Sequence, residues 1–174
     1  DPFPVIYSHL YLGIDCWILG RFSEAKESLQ ESLALARTYG ERWHEALDSE
    51  FLGSLALEQG EYNQARRYLS EALVIIRQLG DPSVTAHTLK YLASTMQSLG
   101  EYRQAEKLLR ESLEIAQEID YRFTMGLELD GLGQVAYAQE RYEDARAFFS
   151  ESAELYGEMG DTHRLSRTLN YQGF

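Results

Sequence analysis

The chain has 174 residues, of which 44% are hydrophobic and 25% are charged, and it includes 13 Gly, 3 Pro and 1 Cys. This composition indicates a globular protein and excludes collagen, low-complexity disorder and a disulfide-rich secreted scaffold. A formal net charge of −12, from 16 Lys and Arg against 28 Asp and Glu, disfavours binding to nucleic acid or to anionic membrane surfaces.

Further features of the sequence concern its cellular setting. The single cysteine, Cys16, cannot form an internal disulfide, and no Asn-x-Ser/Thr acceptor occurs, so a cytoplasmic location is predicted. No apolar run approaches the roughly 20 residues that a membrane-spanning helix requires. The chain begins with Asp1 rather than Met, which predicts a fragment of a longer protein.

A forty-residue internal repeat organises the sequence. The segment at 19–25 recurs at 59–65, 99–105 and 139–145, with no insertion or deletion between copies. Self-similarity at a fixed period is the signature of a repeat architecture. We therefore predict a single array over 1–174, with repeats at about 1–40, 41–80, 81–120 and 121–160 and a partial fifth at 161–174.

Each repeat is predicted to form two helices. The first begins near an acidic N-cap, at Asp1, Asp81 and Asp161, and Pro2 and Pro82 follow at a position that needs no backbone N–H. The second carries an apolar stripe at steps of three and four, which in the first repeat comprises Phe22, Ala25, Leu29, Leu33 and Ala36.

Turn residues predict where these helices end. The expected breaks lie near Gly20, Gly40, Gly60, Gly80, Gly100, Ile119, Glu140 and Gly160. No alternation of apolar and polar residues is sustained, so strands are not expected. A two-helix unit cannot bury both of its faces alone, and the predicted fold is therefore all-α, with helical hairpins stacked into a solenoid.

The pattern resembles the tetratricopeptide repeat. The Leu-Gly pair that this family places in the first helix is matched by Leu12-Gly13, Leu52-Gly53 and Leu132-Gly133, with Leu92-Ala93 as a variant. The aromatic and small residues that open the second helix are matched by Phe22/Ala25, Tyr62/Ala65, Tyr102/Ala105 and Tyr142/Ala145. The chain departs from the family at the usual early tryptophan, where it has His9, Ser49, Leu89 and Leu129, and in its forty-residue period.

The resemblance implies a right-handed superhelix of antiparallel helix pairs. First helices would line its concave face and second helices its convex face. The longer period is similar to that of the sensor arrays of bacterial STAND signal-transduction ATPases, including maltose-regulon-type transcription activators, and to that of some animal scaffold proteins.

No constellation of catalytic residues is found. The four histidines, His9, His44, His87 and His163, lack metal-ligand spacing, and Cys16 aligns with Ala or Met in other repeats, which predicts a buried, inert thiol. The G-x-G-x-x-A match at 131–136 falls inside a predicted helix rather than at a strand-to-helix turn. The sequence therefore predicts no enzyme, no metal and no cofactor.

Functional variation is expected on the first helices, because their outward positions differ between repeats while the packing positions do not. We predict that this surface binds a protein or peptide segment, or a small inducer, and reports it to other domains of the same chain. The candidates are Tyr7, Tyr11, Trp17, Leu47, Glu50, Phe51, His87, Lys90, Tyr91, Ser94, Gln97, Leu127, Asp130, Gln134, Tyr137, Arg167 and Asn170.

Three alternatives stay open at this point. The aromatic register that includes Phe51 and Tyr91 could simply pack between successive first helices. Lys90 could be held by Glu50 and Asp130 in an ion-pair network without a ligand. The whole array could serve as a structural spacer or oligomerisation arm with no specific groove ligand.

Overall fold

The computed structural model describes residues 2–172, which contain nine α-helices and no β-strand. In chain order they are α1 (Phe3–Ile18), α2 (Phe22–Tyr39), α3 (Arg42–Glu58), α4 (Tyr62–Leu79), α5 (Pro82–Ser98), α6 (Tyr102–Glu118), α7 (Arg122–Ala138), α8 (Tyr142–Met159) and α9 (Thr162–Gln172). The all-α prediction and all eight predicted breaks are confirmed. In this part of the chain no helix is long and apolar enough to cross a membrane.

The helix boundaries follow from the turn residues. Gly40, Gly80 and Gly160 end the second helices in the left-handed conformation, with φ of 75°, 74° and 71°. Asp161 accepts a hydrogen bond from the Arg164 N–H at 3.0 Å and so caps α9, as predicted. The predicted cap at Asp1 lies outside the described residues.

Glu140 occupies the same left-handed position as Gly20, Gly60 and Gly100, with φ of 63°. This conformation strains a residue that carries a Cβ atom. We expect Glu140→Gly to stabilise the chain by up to about 1 kcal/mol, because relief of strain outweighs the extra freedom of glycine in the unfolded state. Urea unfolding tests this, with Glu143→Gly, inside α8, as the control that should destabilise.

The Leu-Gly pairs bring the two helices of a hairpin close together. A Cβ atom at Gly53 would lie 2.6 Å from Leu69 Cγ, and one at Gly133 would lie 2.6 Å from Phe149 Cε1. Real Cβ atoms do not approach other atoms so closely. These glycines are therefore required by packing, as the sequence predicted.

The chain divides into two compact units between Asp81 and Pro82. In the first, unit 1, α1 packs on α2, α2 on α3 and α3 on α4. In the second, unit 2, α5 packs on α6, α6 on α7, α7 on α8 and α8 on α9. Within each unit, a second helix therefore lies between two first helices. The single array over the whole chain stays a prediction.

Each unit has its own apolar core. In unit 1 the core contains Leu29, Leu33, Leu52 and Leu55, and Cys16 is buried beside them, as expected of an inert thiol. In unit 2, Phe149 packs with Ala136 and Ala145. The stripe positions of the second helices supply much of these cores, which confirms the helical periodicity.

Candidate ligand-binding cleft

The first helices of unit 2 enclose a cleft of about 140 Å³. Its walls come from α5, α7 and α9, with one residue from α6. Seven of the sequence-predicted candidates line it: Lys90, Ser94, Gln97, Leu127, Asp130, Gln134 and Arg167. Positions that lie up to 77 residues apart in the sequence are brought together by the forty-residue stacking.

Asp130 anchors the wall between α7 and α9. Its Oδ1 accepts hydrogen bonds from Ser152 Oγ at 2.7 Å and Thr168 Oγ1 at 2.9 Å, and its Oδ2 lies 3.3 Å from Arg167 Nη2. Tyr156 OH lies 3.5 Å from Oδ2, and burial, reinforced by the Asp130 charge, raises the pKa of Tyr156 to about 12. These donors satisfy the carboxylate, which allows it to be buried.

This burial corrects the expectation that Asp130 faces outward. The residue is only 2% exposed, because α8 and α9 both close over it. Its ion pair is with Arg167, whose side chain is 42% exposed. Asp130 therefore holds Arg167 at the edge of the cleft, and Arg167 rather than Asp130 presents polar atoms to solvent.

Lys90 is positioned by its aromatic neighbour. The Lys90 Nζ atom lies 4.8 Å from the centroid of the Tyr91 ring, within cation–π range. His87 contacts the same ring edge-on, with centroids 4.8 Å apart. Tyr91 therefore packs within unit 2 rather than projecting freely into the cleft.

Gln97 joins two walls of the cleft. Its Nε2 donates a hydrogen bond to the Gly131 carbonyl oxygen at 3.2 Å, linking α5 to α7. Gln134 lies one turn beyond Gly131 on α7 and is exposed. Together with Ser94, these side chains offer both hydrogen-bond donors and acceptors, and Leu109 and Leu127 supply apolar surface.

Comparison with known proteins gives the architecture a family. Residues 44–118 match the family model described as tetratricopeptide repeat. The resemblance to the tetratricopeptide repeat is confirmed over these residues. No functionally curated protein gives a significant match to the sequence.

Solved structures share the fold of this chain. A STAND protein with a tetratricopeptide repeat sensor from Pyrococcus horikoshii matches 99% of this chain and 27% of its own, at 17% identity and a TM-score of 0.91. Aspartyl phosphate phosphatase F from Bacillus subtilis matches 99% of this chain and 45% of its own, at 12% identity and a TM-score of 0.91. A Rap protein complexed with competence and sporulation factor matches 96% of this chain and 46% of its own, at 14% identity and a TM-score of 0.76. The chain thus spans less than half of each of these proteins.

Four predicted candidates of unit 2 do not line the cleft: His87 and Tyr91, described above, and Tyr137 and Asn170. Tyr137 is exposed and contacts Tyr142 edge-on at 5.5 Å, beside Glu143 and Arg146 in a separate, more open depression. Asn170 is exposed near the end of α9. The related register position Tyr171 stacks on Phe149, with ring centroids 5.2 Å apart. Tyr171 therefore has a packing role, which agrees with the alternative, stated above, that the aromatic register packs.

The candidates of unit 1 form a different surface. Tyr7 and Tyr11 are exposed, and their hydroxyl oxygens lie 3.0 Å apart. Trp17 contacts Phe51 edge-on and donates a hydrogen bond from Nε1 to Glu58. Leu47 and Phe51 are half-buried against the core.

Glu50 differs most from its prediction in unit 1. It was expected to face the groove, yet only 3% of it is exposed. Ser49, next to it, and Ser54, one turn further along α3, are also buried, so this side of the helix faces protein rather than solvent. Asp130 forms an ion pair with Arg167, and the network of Lys90 with Glu50 and Asp130 stays a prediction.

Sequence reasoning missed two residues of the cleft wall. Leu109 belongs to the second helix α6, which was assigned to packing alone. Gly131 follows Tyr91 by forty residues in the aromatic register and was not named as a candidate. A Cβ atom at Gly131 would lie 2.9 Å from Leu109 Cδ2, so the two residues are complementary. The glycine in an otherwise aromatic register was the available signal.

Two kinds of site suggested by sequence motifs were compared with the cleft. Among the described residues, no three His, Cys, Asp or Glu side chains are grouped in a way that could hold a metal ion. The G-x-G-x-x-A match at 131–136 lies within α7, so it does not form a dinucleotide-binding turn. The side chains around the cleft provide hydrogen bonds, the ion pair of Asp130 with Arg167, and apolar contact.

Proposed function

We propose that this repeat array is a binding module whose cleft in unit 2 receives a segment of a partner protein or a peptide. The observation that carries the proposal is the convergence of seven variable first-helix positions on one cleft. Residues conserved between repeats for packing are accounted for by the cores, and these variable residues are not. Repeats of this kind are typically binding scaffolds rather than catalysts, so no reaction is proposed.

The size of the cleft favours a peptide over a small inducer. A volume of about 140 Å³ is well below the roughly 300–1,000 Å³ of pockets that enclose drug-sized ligands. A cleft of this size suits one side chain of a longer segment that continues along the surface. Gln97 and Gln134 can bond backbone amides, and Leu127 can contact an apolar side chain.

We further propose that the array acts as the sensor arm of a larger signalling protein. Support comes from the STAND protein from Pyrococcus horikoshii, whose repeats are a sensor, and from the Rap protein complexed with competence and sporulation factor. Both are much longer than this chain, so the other domains of such a protein would receive the signal. Both likenesses are of fold, and the ligand of this chain is to be found by experiment.

Selection from a phage-displayed random dodecapeptide library against the full chain tests the proposal. The affinity of a selected peptide would be measured by calorimetry for the wild-type chain, Lys90→Ala and Gln134→Ala. We expect each substitution to weaken binding about tenfold or more, corresponding to about 1.4 kcal/mol. Matched controls are Lys107→Ala and Gln104→Ala on the exposed face of α6, which should bind as the wild type does.

The alternative function, a structural spacer or oligomerisation arm, predicts a different result. A spacer would yield no peptide with saturable binding, or peptides whose affinity is unaffected by Lys90→Ala and Gln134→Ala. Either result would contradict the proposed cleft. Concentration-dependent self-association without peptide binding would favour the oligomerisation arm.

A further inference from the structure

Two buried carboxyl groups occupy the same repeat position in the two units. Asp48 on α3 and Glu128 on α7 lie eighty residues apart, and both are 0% exposed. Asp48 lies where α3 packs on α2, and Glu128 lies where α7 packs on α6. The intervening repeat has Thr88 at this position, and Ser8 and Thr168 occupy it at the two ends. Neither carboxyl group lines the proposed cleft.

The hydroxyl group of Ser112 lies between Glu128 and a backbone carbonyl oxygen. Ser112 Oγ lies 2.9 Å from the Ala86 carbonyl oxygen and 3.0 Å from Glu128 Oε1. A hydroxyl has one proton, and both a carbonyl oxygen and a carboxylate oxygen only accept. Both contacts are hydrogen bonds if Ser112 donates to Ala86 and a protonated Glu128 donates to Ser112. Among the described residues, Glu128 Oε2 has no hydrogen-bond partner.

The same arrangement recurs in unit 1 with a shorter acid. Ser32 Oγ donates to the Ile6 carbonyl oxygen at 3.0 Å. The positions correspond to those of unit 2 at a distance of eighty residues: Ile6 to Ala86, Ser32 to Ser112 and Asp48 to Glu128. Neither carboxyl oxygen of Asp48 has a hydrogen-bond partner in the described part of the chain. A buried carboxylate without donors is strongly disfavoured relative to the neutral acid.

Asp130 is a buried carboxyl group of the same unit that has several donors. It also contacts a second-helix serine, Ser152, which lies 3.0 Å from the Gly126 carbonyl oxygen, but Thr168 and Arg167 donate to Asp130 as well. Glu128 and Asp48 lack such donors. The contrast separates a carboxylate stabilised by several donors from two acids that are stabilised only as neutral groups.

Few charged groups act on the two acids. For Glu128, the positive charge of Lys90 on α5 and the hydroxyl group of Ser112 on α6 both favour the ionised form. Among the described residues, no charged side chain of α8 shifts the pKa of Glu128. For Asp48, the hydroxyl group of Ser32 on α2 favours the ionised form. Among the described residues, no charged side chain of α1 or α4 shifts the pKa of Asp48. Along α3, Glu50 and Glu45 lie two and three residues from Asp48, and His44 lies one turn away. Burial dominates and raises the pKa of Asp48 to about 7 and that of Glu128 to about 8.

We propose that Asp48 and Glu128 are protonated in the folded chain and that the α2/α3 and α6/α7 junctions are pH-sensitive contacts, which loosen when these carboxyl groups ionise. In the unfolded chain both groups lose their protons near pH 4. Folding therefore takes up one proton at each site when the pH lies between about 4 and the pKa of that group in the folded chain. The contribution of each protonated acid to the free energy of unfolding is fully present below this pH range and falls as the pH rises through it. It is lost above about pH 7 for Asp48 and about pH 8 for Glu128.

Carboxyl ¹³C NMR of the full chain tests the protonation directly. We expect two side-chain carboxyl resonances to titrate near pH 7 and pH 8, one absent in Asp48→Asn and the other absent in Glu128→Gln. Titration of every carboxyl group below pH 5.5 would overturn the proposal. A resonance that titrates near neutrality but survives both substitutions would overturn the assignment. The wild-type titration decides the matter even if a variant fails to fold.

Unfolding experiments test the consequence for stability. Both tryptophans, Trp17 and Trp43, lie in unit 1, so their fluorescence reports the unit that contains Asp48. Between pH 5 and pH 6.5 the folding equilibrium constant of unit 1 should fall about tenfold per pH unit more steeply in wild type than in Asp48→Asn. At pH 8.5 Asp48→Asn should be the more stable protein. The exposed substitution Asp15→Asn is the control, and a pH dependence that is parallel in Asp48→Asn and wild type would contradict the proposal.

Discussion

Replacing Asp130 by alanine is expected to destabilise unit 2 by about 2–4 kcal/mol. The substitution removes an acceptor for Ser152, Thr168 and Arg167. Ser152 keeps the Gly126 carbonyl oxygen at 3.0 Å, but the buried Thr168 hydroxyl group loses the Asp130 acceptor. The estimate lies below that for a fully buried ion pair because Arg167 is half-exposed. Chemical unfolding followed by far-UV circular dichroism measures the effect.

Two further variants separate the roles of Asp130. Asp130→Asn keeps an acceptor oxygen and should lose less stability than Asp130→Ala. Glu114→Ala, on the exposed face of α6, should change the free energy of unfolding by less than about 0.5 kcal/mol. Equal unfolding midpoints for Asp130→Ala and Glu114→Ala would show that the hydrogen-bond network does not anchor α9.

Replacing Phe149 by alanine is expected to cost about 3–5 kcal/mol, the usual range for a buried aromatic residue. Its ring is 1% exposed, fills the space left by Gly133 and stacks on Tyr171. The substitution should therefore leave a cavity among α7, α8 and α9. Thermal and chemical unfolding of the full chain measure the loss.

The adjacent Phe148 provides a matched control for Phe149. It is only half-buried, so Phe148→Ala should cost clearly less. Because the two residues differ in position by one, the comparison tests the register of α8 as well as the cavity. A larger loss for Phe148→Ala would contradict the assigned stripe.

Much of the fold was predictable because the same types of turn and packing residue recur every forty positions. Glycine, or Asp120 or Glu140 in its place, occupies the left-handed position of each turn, and the Leu-Gly pairs predict the close approach of two helices. The bounds of the helices follow these residues within one or two positions. A single sequence thus contained four independent copies of the same local information.

The cleft was predictable only in part. Its first-helix lining followed from variation between repeats, but Leu109 did not, because second helices were assigned to packing. The burial of Glu50 and Asp130 was also missed, since acidic residues are usually exposed. The donors that permit burial of Asp130 lie 22 to 38 residues away in sequence, where no local pattern reveals them.

The buried acids were missed for the same reason. Asp48 and Glu128 look like ordinary surface residues in an acidic protein with 28 Asp and Glu. The available signal was their recurrence at one repeat position, where Thr88 and Thr168 are also polar and also buried. A register comparison of polar residues would have singled out this position.

The central claim is that the first helices of unit 2 form the ligand-binding surface. Hydrogen–deuterium exchange of the full chain, with and without a peptide selected from the random library, tests it most directly. We expect the peptide to slow exchange in α5, α7 and α9 around Lys90, Gln134 and Arg167, with α6 and α8 little changed on their exposed faces. Slowed exchange confined to α6 and α8, or to unit 1, would contradict the claim.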